Sequence, residues 1–260
     1  MRIITSHLPF FDGLELKEAT FQKKTFPTHQ HDTYSIGIIK QGFEKIKVEN
    51  IQMTAHAQSL VIINPHQPHA HTFFDEDAWA YQCVYLNEDV VAHLVGKSAE
   101  KPIFPTQVID DEALIKAFAD CFGQARQELT KWQTALTNVF SKYALPTHTK
   151  ENLHTENQAM QEAAQYLRLN LSQSLELEHI ARKFHLSKGQ FIRNFKKHTG
   201  LTPISFALMH RVEEAKKRIK QGYSLTEVSM AVGFYDQAHF IKYFQKYVGI
   251  APLRYKQGLG

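Results

Sequence analysis

One thirteen-residue phrase is written twice in this chain, as FIRNFKKHTGLTP at 191–203 and as FIKYFQKYVGIAP at 240–252. Phe191/Phe240, Ile192/Ile241, Phe195/Phe244, Lys197/Lys246, Gly200/Gly249 and Pro203/Pro252 are identical, and Arg193/Lys242 keep their charge, all at an offset of 49 residues. One fixed offset implies a single supersecondary unit used twice. In each copy the two phenylalanines are four apart and so share a helix face. The glycine is a natural left-handed stop, and the proline suits the first turn of a following helix.

The flanking residues extend the pattern. Leu177, Ile180, Ala181 and Phe184 predict a short helix before the first phrase, and Met160, Ala164, Leu167 and Leu171 predict a longer one before that. Ser187-Lys-Gly-Gln190 is a capping box for the helix bearing Phe191 and Phe195. Thr202 and Pro203 then open a helix that runs to Gln221 and stops at Gly222. Ser224-Leu-Thr-Glu227 is a second capping box, with Val228, Val232 and Phe234 as core, and Asp236 caps the helix bearing Phe240 and Phe244. Each unit is therefore a short helix, a tight turn and a second helix, the plan that places the second helix in a DNA major groove.

With the phenylalanines inward, Lys188, Gly189, Arg193, Asn194 and Lys197 point outward on the first such helix. Gln237, Ala238, Lys242 and Lys246 do so on the second, with His239 at the edge. Arg, Asn and Gln can contact base edges in bidentate fashion, and Lys suits phosphates. A spacer helix from Pro203 to Gln221 would be about 28 Å long, close to the roughly 34 Å of one DNA turn. Lys216, Lys217, Arg218 and Lys220 on that spacer are expected to be solvated. Charge supports a polyanionic partner for this half. Residues 151–260 carry 16 Lys+Arg against 9 Asp+Glu, whereas residues 1–150 carry 14 against 17.

Residues 158–256 resemble the DNA-binding domain of the AraC/XylS family of bacterial transcription regulators. The first set of matching residues is Ile180-Ala181, Ser187, Phe191, Arg193, Phe195-Lys196, Gly200, Pro203, Arg211 and Ala215. The second is Val228, Gly233-Phe234, Phe240, Phe244, Gly249, Pro252 and Tyr255. The resemblance implies base reading at Gly189, Ile192 and Arg193 and at Gln237, Ala238 and Lys242. Phe191 stands where the family usually has Leu, and Ser229 where it has Ala. Gly189 and Ala238 offer no side-chain hydrogen bond.

The front half reads differently. Leu14-Glu-Leu-Lys, Ile36-Gly-Ile-Ile, Glu44-Lys-Ile-Lys-Val-Glu and Leu60-Val-Ile-Ile-Asn alternate with the period of strands, and Gly42, Asn50 and Asn64-Pro65 mark turns. Many short strands argue for a barrel or sandwich. His29-x-His31, His66 and His69-x-His71 punctuate it, and in a strand residues two apart share one side. HQHDTYSIGIIKQG followed by INPHQPHAH resembles a cupin sensor domain. That resemblance implies effector contact through His29, His31, His66 and His69. Tyr34 and Tyr81, with Tyr85, either line the same cavity as effector contacts or, as tyrosines on strands more often do, simply pack. Imidazoles also suit a divalent metal such as zinc, iron or nickel, with His29, His31 and His69 as the ligand set. The acidic ligand of metal cupins is missing near Ser35. A structural role for the histidines is the third reading.

From Asp110 the apolar positions Phe118, Phe122, Ala125, Leu129, Trp132, Leu136, Val139 and Tyr143 form a heptad seam. Thr130-x-x-Gln133 looks like a capping box, so two helices, 111–128 and 131–143, are expected rather than one rod. The seam is read as a homodimer contact, the alternative being that it packs on the barrel. ALPTHTKENLHTE at 144–156 is polar and carries Pro146, as a linker would. Cys83 and Cys121 fit no CxxC pattern and are expected to be buried, reduced thiols. No apolar run is long enough to span a membrane, and MRIITSHLPF has no apolar core of a secretory signal.

The expected fold class is α+β multidomain. It comprises a cupin-like effector-binding barrel at 1–110, a helical dimerisation segment at 111–143, a linker at 144–156, and an all-α domain of two helix-turn-helix units at 157–260. The function it predicts is that of a cytoplasmic, dimeric transcription regulator binding double-stranded promoter DNA and a small effector, and RNA polymerase if it activates. The front-domain phrases HxHDTYSIG at 29–37 and INPxxxH at 63–69, followed by a Tyr-rich strand, resemble regulators of metabolite or amino-acid exporters, and that resemblance implies such a target. The rival is a metal-dependent, dioxygenase-like cupin enzyme with an accessory DNA-binding domain.

Overall fold

Among the described residues, the first half forms a six-stranded, a four-stranded and a two-stranded β-sheet, and helical periodicity in the second half becomes a helical domain. The structure is a computed structural model and describes residues 2–11, 14–21, 25–48, 51–72, 78–94, 101–105, 108–123, 126–146 and 155–258. Asn50 and Ala125 lie outside the described residues. By contacts, residues 1–25 and 30–149 form one unit, and 150–260 with 26–29 form the other.

The strands run β1 (Arg2–Leu8), β2 (Leu14–Phe21), β3 (Phe26–His29), β4 (Tyr34–Gln41), β5 (Phe43–Val48), β6 (Ile51–His56), β7 (Leu60–Ile63), β8 (His69–Thr72) and β9 (Trp79–Leu86). Helix α1 (Glu88–Leu94), the short strands β10 (Pro102–Ile103) and β11 (Val108–Ile109), and helices α2 (Glu112–Phe122) and α3 (Leu129–Tyr143) follow. Strand β12 (Leu145–Pro146) comes last. One sheet has the order β1-β2-β9-β4-β7-β11 and another β3-β8-β5-β6. Gly42 turns β4 into β5 with φ of 75°, a conformation that glycine adopts without steric cost.

Period two assigns the two faces of the six-stranded sheet opposite duties. Leu14 and Leu16 of β2, Tyr34, Ile36 and Ile38 of β4, and Val84 and Leu86 of β9 join one apolar cluster with Phe118, Phe122, Trp132, Leu136, Val139 and Phe140 of the helices. The heptad seam is thus buried within the chain, against its own sheet, and is not available as a dimer contact; Leu129 alone of its described members is exposed. Two helices do form, but the first ends at Phe122, where Gly123 takes the cap position. The second starts at Leu129 with Glu128 at the cap and no side-chain cap bond. Thr130 therefore sits inside the first turn and makes no capping box. Part of the expected linker is strand, because Leu145–Pro146 pairs with Ile103–Pro102; residues 147–154 lie outside the described residues.

The second unit contains α4 (Thr155–Leu169), α5 (Leu177–Lys183), α6 (Lys188–Thr199), α7 (Pro203–Lys220), α8 (Leu225–Ala231), α9 (Gln237–Val248) and α10 (Pro252–Gln257). Both capping boxes form, at Ser187/Gln190 and Ser224/Glu227, and Thr202 and Asp236 cap α7 and α9. Gly200 and Gly249 end α6 and α9 in the left-handed conformation. Phe191, Phe195, Phe240 and Phe244 are fully buried.

Candidate nucleic-acid interface and effector barrel

Burying the four phenylalanines turns the opposite faces of α6 and α9 to solvent. On α6, Lys188, Gly189, Arg193 and Lys197 are exposed and Ile192 and Asn194 half-buried; on α9, Gln237, Ala238, Lys242 and Lys246 are exposed. Lys188 is held by Glu178 of α5 at 2.6 Å. Lys246 lies over the rings of Tyr243 and Tyr247 at 5.4 and 5.6 Å, and Lys242 over Tyr243 at 5.9 Å. His239 differs from the rest. Its ring packs edge-on against Phe234 and Tyr243, at 5.5 and 4.8 Å between centroids, and its Nδ1 is buried. On the spacer α7, Lys217 and Lys220 are exposed as expected, whereas Lys216 and Arg218 are half-buried and paired, with Glu213 at 3.2 Å and Glu214 at 2.9 Å. The 18 residues of α7 span about 27 Å.

In the first unit, the face of the six-stranded sheet turned away from the helices carries Glu15 and Lys17 of β2, Ser35 and Gly37 of β4, and Tyr81, Cys83 and Tyr85 of β9. Register sets Lys17 and Gly37 on either side of Cys83, and Glu15 and Ser35 on either side of Tyr85. Glu15, Lys17 and, on β5, Glu44 are all buried. His71 of β8 faces Glu44 at 3.2 Å, His7 faces Glu15 at 3.5 Å, and the Lys17 ammonium lies 5.9 Å from the Tyr81 ring centre. The Ser35 hydroxyl contacts Cys83 Sγ at 3.1 Å. Burial pushes the Cys83 thiol up to about 11, against the lowering by Ser35 and Lys17. Burial, then Cys83 and Glu44, push the Tyr81 hydroxyl well up. Cys83 and Cys121 are both free and buried.

The expected effector residues divide. His29 closes β3, so His31 follows the strand rather than sharing its face, which corrects the two-apart argument for that pair. His29, His31 and His69 nevertheless each bring one ligand atom within 4.8 Å of the others. His31 packs against His69 and Tyr85, at 5.2 and 5.4 Å between ring centres. His66 instead sits at a positive φ of 59°, donates its backbone N–H to the His31 carbonyl at 2.7 Å and points its ring toward Asp32. Tyr34 is not a cavity residue: it faces the helices, packs on Phe104 and Phe140, and donates its hydroxyl to the Pro102 carbonyl at 2.6 Å. Sequence reasoning missed Glu15, Lys17 and Glu44. The signal was there for Glu44, which shares the inward phase of β5 with Ile46 and Val48.

Comparison with known proteins agrees with both halves. The family profile "AraC-like ligand binding domain" matches residues 13–139 and "Helix-turn-helix domain" matches residues 180–258. YbfI of Bacillus subtilis (strain 168), an uncharacterised HTH-type transcriptional regulator, is 24% identical over 223 residues, 82% of this chain and 81% of its own. The MmsAB operon regulatory protein of Pseudomonas aeruginosa is 37% identical over 93 residues, 35% of this chain and 30% of its own. Among solved structures, ToxT from Vibrio cholerae O395 superposes with a TM-score of 0.60 at 13% identity, covering 95% of this chain and 98% of ToxT. An unsaturated fatty acid bound ToxT gives 0.58 at 14% identity, covering 95% of each. These structures share the fold. The chain belongs to the AraC family of transcription regulators, with an N-terminal ligand-binding domain and a C-terminal helix-turn-helix DNA-binding domain.

Proposed function

We propose a one-component switch in which a small polar effector in the barrel changes how the two helix-turn-helix units engage promoter DNA. Such control requires that the effector bind the two states with different affinity. The observation behind the DNA half is the matched pair of exposed faces on α6 and α9. Arg193, Asn194 and Gln237 are assigned to base edges. Lys188, Lys197, Lys242 and Lys246 are assigned to phosphates or nearby bases, and Gly189, Ile192 and Ala238 to close or apolar approach. His239 is assigned to packing. The test is a mobility-shift titration with the DNA flanking the protein's own gene, in the presence of excess nonspecific duplex. A specific shift that Arg193→Ala weakens supports the assignment, and an identical shift with scrambled DNA overturns it.

For the effector, Glu15, Lys17 and Glu44 favour a charged or strongly polar molecule over an apolar chain, because buried charges facing hydrocarbon are costly. The effector is thus proposed to differ in class from the fatty acid of ToxT, and the regulated gene to encode an exporter of a metabolite or amino acid. His31, His69, His71, Tyr81 and Tyr85 complete the proposed lining. A homodimer is proposed through the outward faces of α2 and α3, since the seam is covered. The protein is proposed to act in the cytoplasm without enzymatic activity, and to contact RNA polymerase if it activates.

A divalent metal on His29, His31 and His69 is a second reading, favoured by one observation. The Nδ1 atoms of His29 and His69 each lie 2.8 Å from the carbonyl two residues earlier, Pro27 and Gln67. A carbonyl only accepts, so both Nδ1 atoms carry protons, and in the neutral ring the lone pair falls on Nε2. That is the orientation outer-shell carbonyls give to metal-binding histidines, and zinc, iron or nickel suits such a set. The metal would supply an electrophilic anchor for an effector oxygen or nitrogen. Elemental analysis after dialysis against trace zinc tests it: about one equivalent, lost in His69→Ala, supports the site. Equal content in both proteins overturns it.

A further inference from the structure

The segment between α4 and α5 is gripped from two directions. Arg211 of α7, buried to 6% exposure, donates Nε–H to the Leu171 carbonyl at 2.7 Å and an Nη2 hydrogen to the Gln173 carbonyl at 2.8 Å. Gly233, in the turn between α8 and α9, lies against the same residues. A Cβ at Gly233 would fall 2.4 Å from the Leu171 oxygen and 2.8 Å from Ser172 Cα, and its φ is 84°. Both obstacles are backbone, so no side chain can swing aside to make room. Just before the segment, Arg168 of α4 reaches His210 of α7 at 3.3 Å and stacks over Phe206 at 5.4 Å.

Residues 171–173 lead directly into α5 and the first helix-turn-helix, whereas Gly233 belongs to the second. We propose that the 171–173 segment, held by Arg211 and abutted by Gly233, is a strut that fixes the spacing and angle between α6 and α9. Arg211 and Gly233 are positioning residues in this account, and neither touches DNA. The planar guanidinium is suited to the task because two donors in a fixed fork bind two carbonyls at once, which a lysine ammonium does not reproduce. Gly233 is suited because only a residue without Cβ allows the second unit to close on the strut. The consequence is energetic coupling. With the two units rigidly spaced, the second groove contact is intramolecular and gains from a high effective concentration; a loosened strut loses that gain without altering either recognition surface.

The proposal predicts a separation of effects. Full-length wild-type, Arg211→Lys and Gly233→Ala proteins, each checked for native circular dichroism, are titrated against a footprinted operator. The same proteins are titrated against a truncated duplex holding one half-site, and against operators with one to three base pairs inserted between the half-sites. The strut account expects the variants to lose roughly tenfold or more on the full operator while staying within about twofold of wild type on the half-site. It also expects a flatter dependence on the insertion than wild type shows. Equal losses on full and half sites, or an unchanged dependence on insertion, would overturn it. If Gly233→Ala fails to fold, Arg211→Lys carries the test alone, with the insertion series as its readout.

Discussion

Arg193 and Lys242 are the sixth residues of α6 and α9, 49 positions apart in the chain, and both side chains are exposed on equivalent turns. Equivalent placement with different chemistry makes separable predictions. Arg193→Ala should cost about 1–3 kcal/mol against the preferred operator and little against a variant base at the contacted position. Lys242→Ala should weaken all sequences alike and reduce the slope of log K against log salt by about 1 if it contacts phosphate. Fluorescence anisotropy over a salt series distinguishes the two outcomes. A uniform loss in both variants would assign both residues to the backbone.

The covered seam predicts that Trp132 stabilises the protomer itself. Trp132 is fully buried, packs edge-on to Phe118 and Phe122, and donates Nε1–H to the Arg126 carbonyl at 3.1 Å. Trp132→Ala should destabilise the first unit by about 3–5 kcal/mol, by an amount independent of protein concentration. Urea unfolding at two concentrations a hundredfold apart checks this. A loss that vanishes on dilution would return the seam to a dimer interface.

Asp111 predicts a weakening in acid. Its carboxylate caps α2 and is bound by Lys142, the Leu114 N–H and the Tyr143 hydroxyl, in that order of effect, which hold it down to about 2. A carboxylate lowered in the folded state stabilises above its ordinary value and loses that contribution as pH falls through the folded one. The Asp111-dependent part of stability should therefore be constant at neutral pH and disappear between about pH 4 and pH 2. Asp111→Asn should remove that dependence. Parallel acid titrations of stability for the two proteins would contradict it.

The effector assignment predicts which barrel variants lose response without losing DNA. Lys17→Met and Glu44→Gln remove buried charges on β2 and β5, far in sequence from both recognition helices. In a thermal-shift screen of small polar metabolites, the compound that raises the wild-type melting temperature should fail with either variant. Operator binding without effector should stay unchanged. A compound that stabilises both variants as well as wild type would place the effector elsewhere.

Legibility followed the range of the interactions. The capping boxes at Ser187/Gln190 and Ser224/Glu227 join residues three apart, so local sequence was enough to find them. Thr130 and Gln133 carry the same signature, yet α3 begins at Leu129, two residues earlier than that box requires, with Trp132 buried near its start. The apolar stripe from Phe118 to Val139 was readable; what covers it was not, because periodicity reports a face and never its partner. Tyr34 sits one position from Ser35, and that single step decides between the helical core and the barrel interior. Glu15 and Lys17 alternate with Leu14 and Leu16 as a solvated strand face would, and only burial of both faces of the sheet shows them to be interior. The strut at 171–173 depends on contacts of about 40 residues' separation and left no local trace beyond a glycine.

The central claim is that α6 and α9 grip one duplex in successive grooves. Hydroxyl-radical footprinting of the full-length protein on its operator measures this directly. The account predicts two protected patches on one face of the DNA, centred about 10–10.5 base pairs apart, with Arg193→Ala erasing one patch and Lys242→Ala the other. A single patch, or loss of both patches from either substitution with the protein still folded, would contradict it.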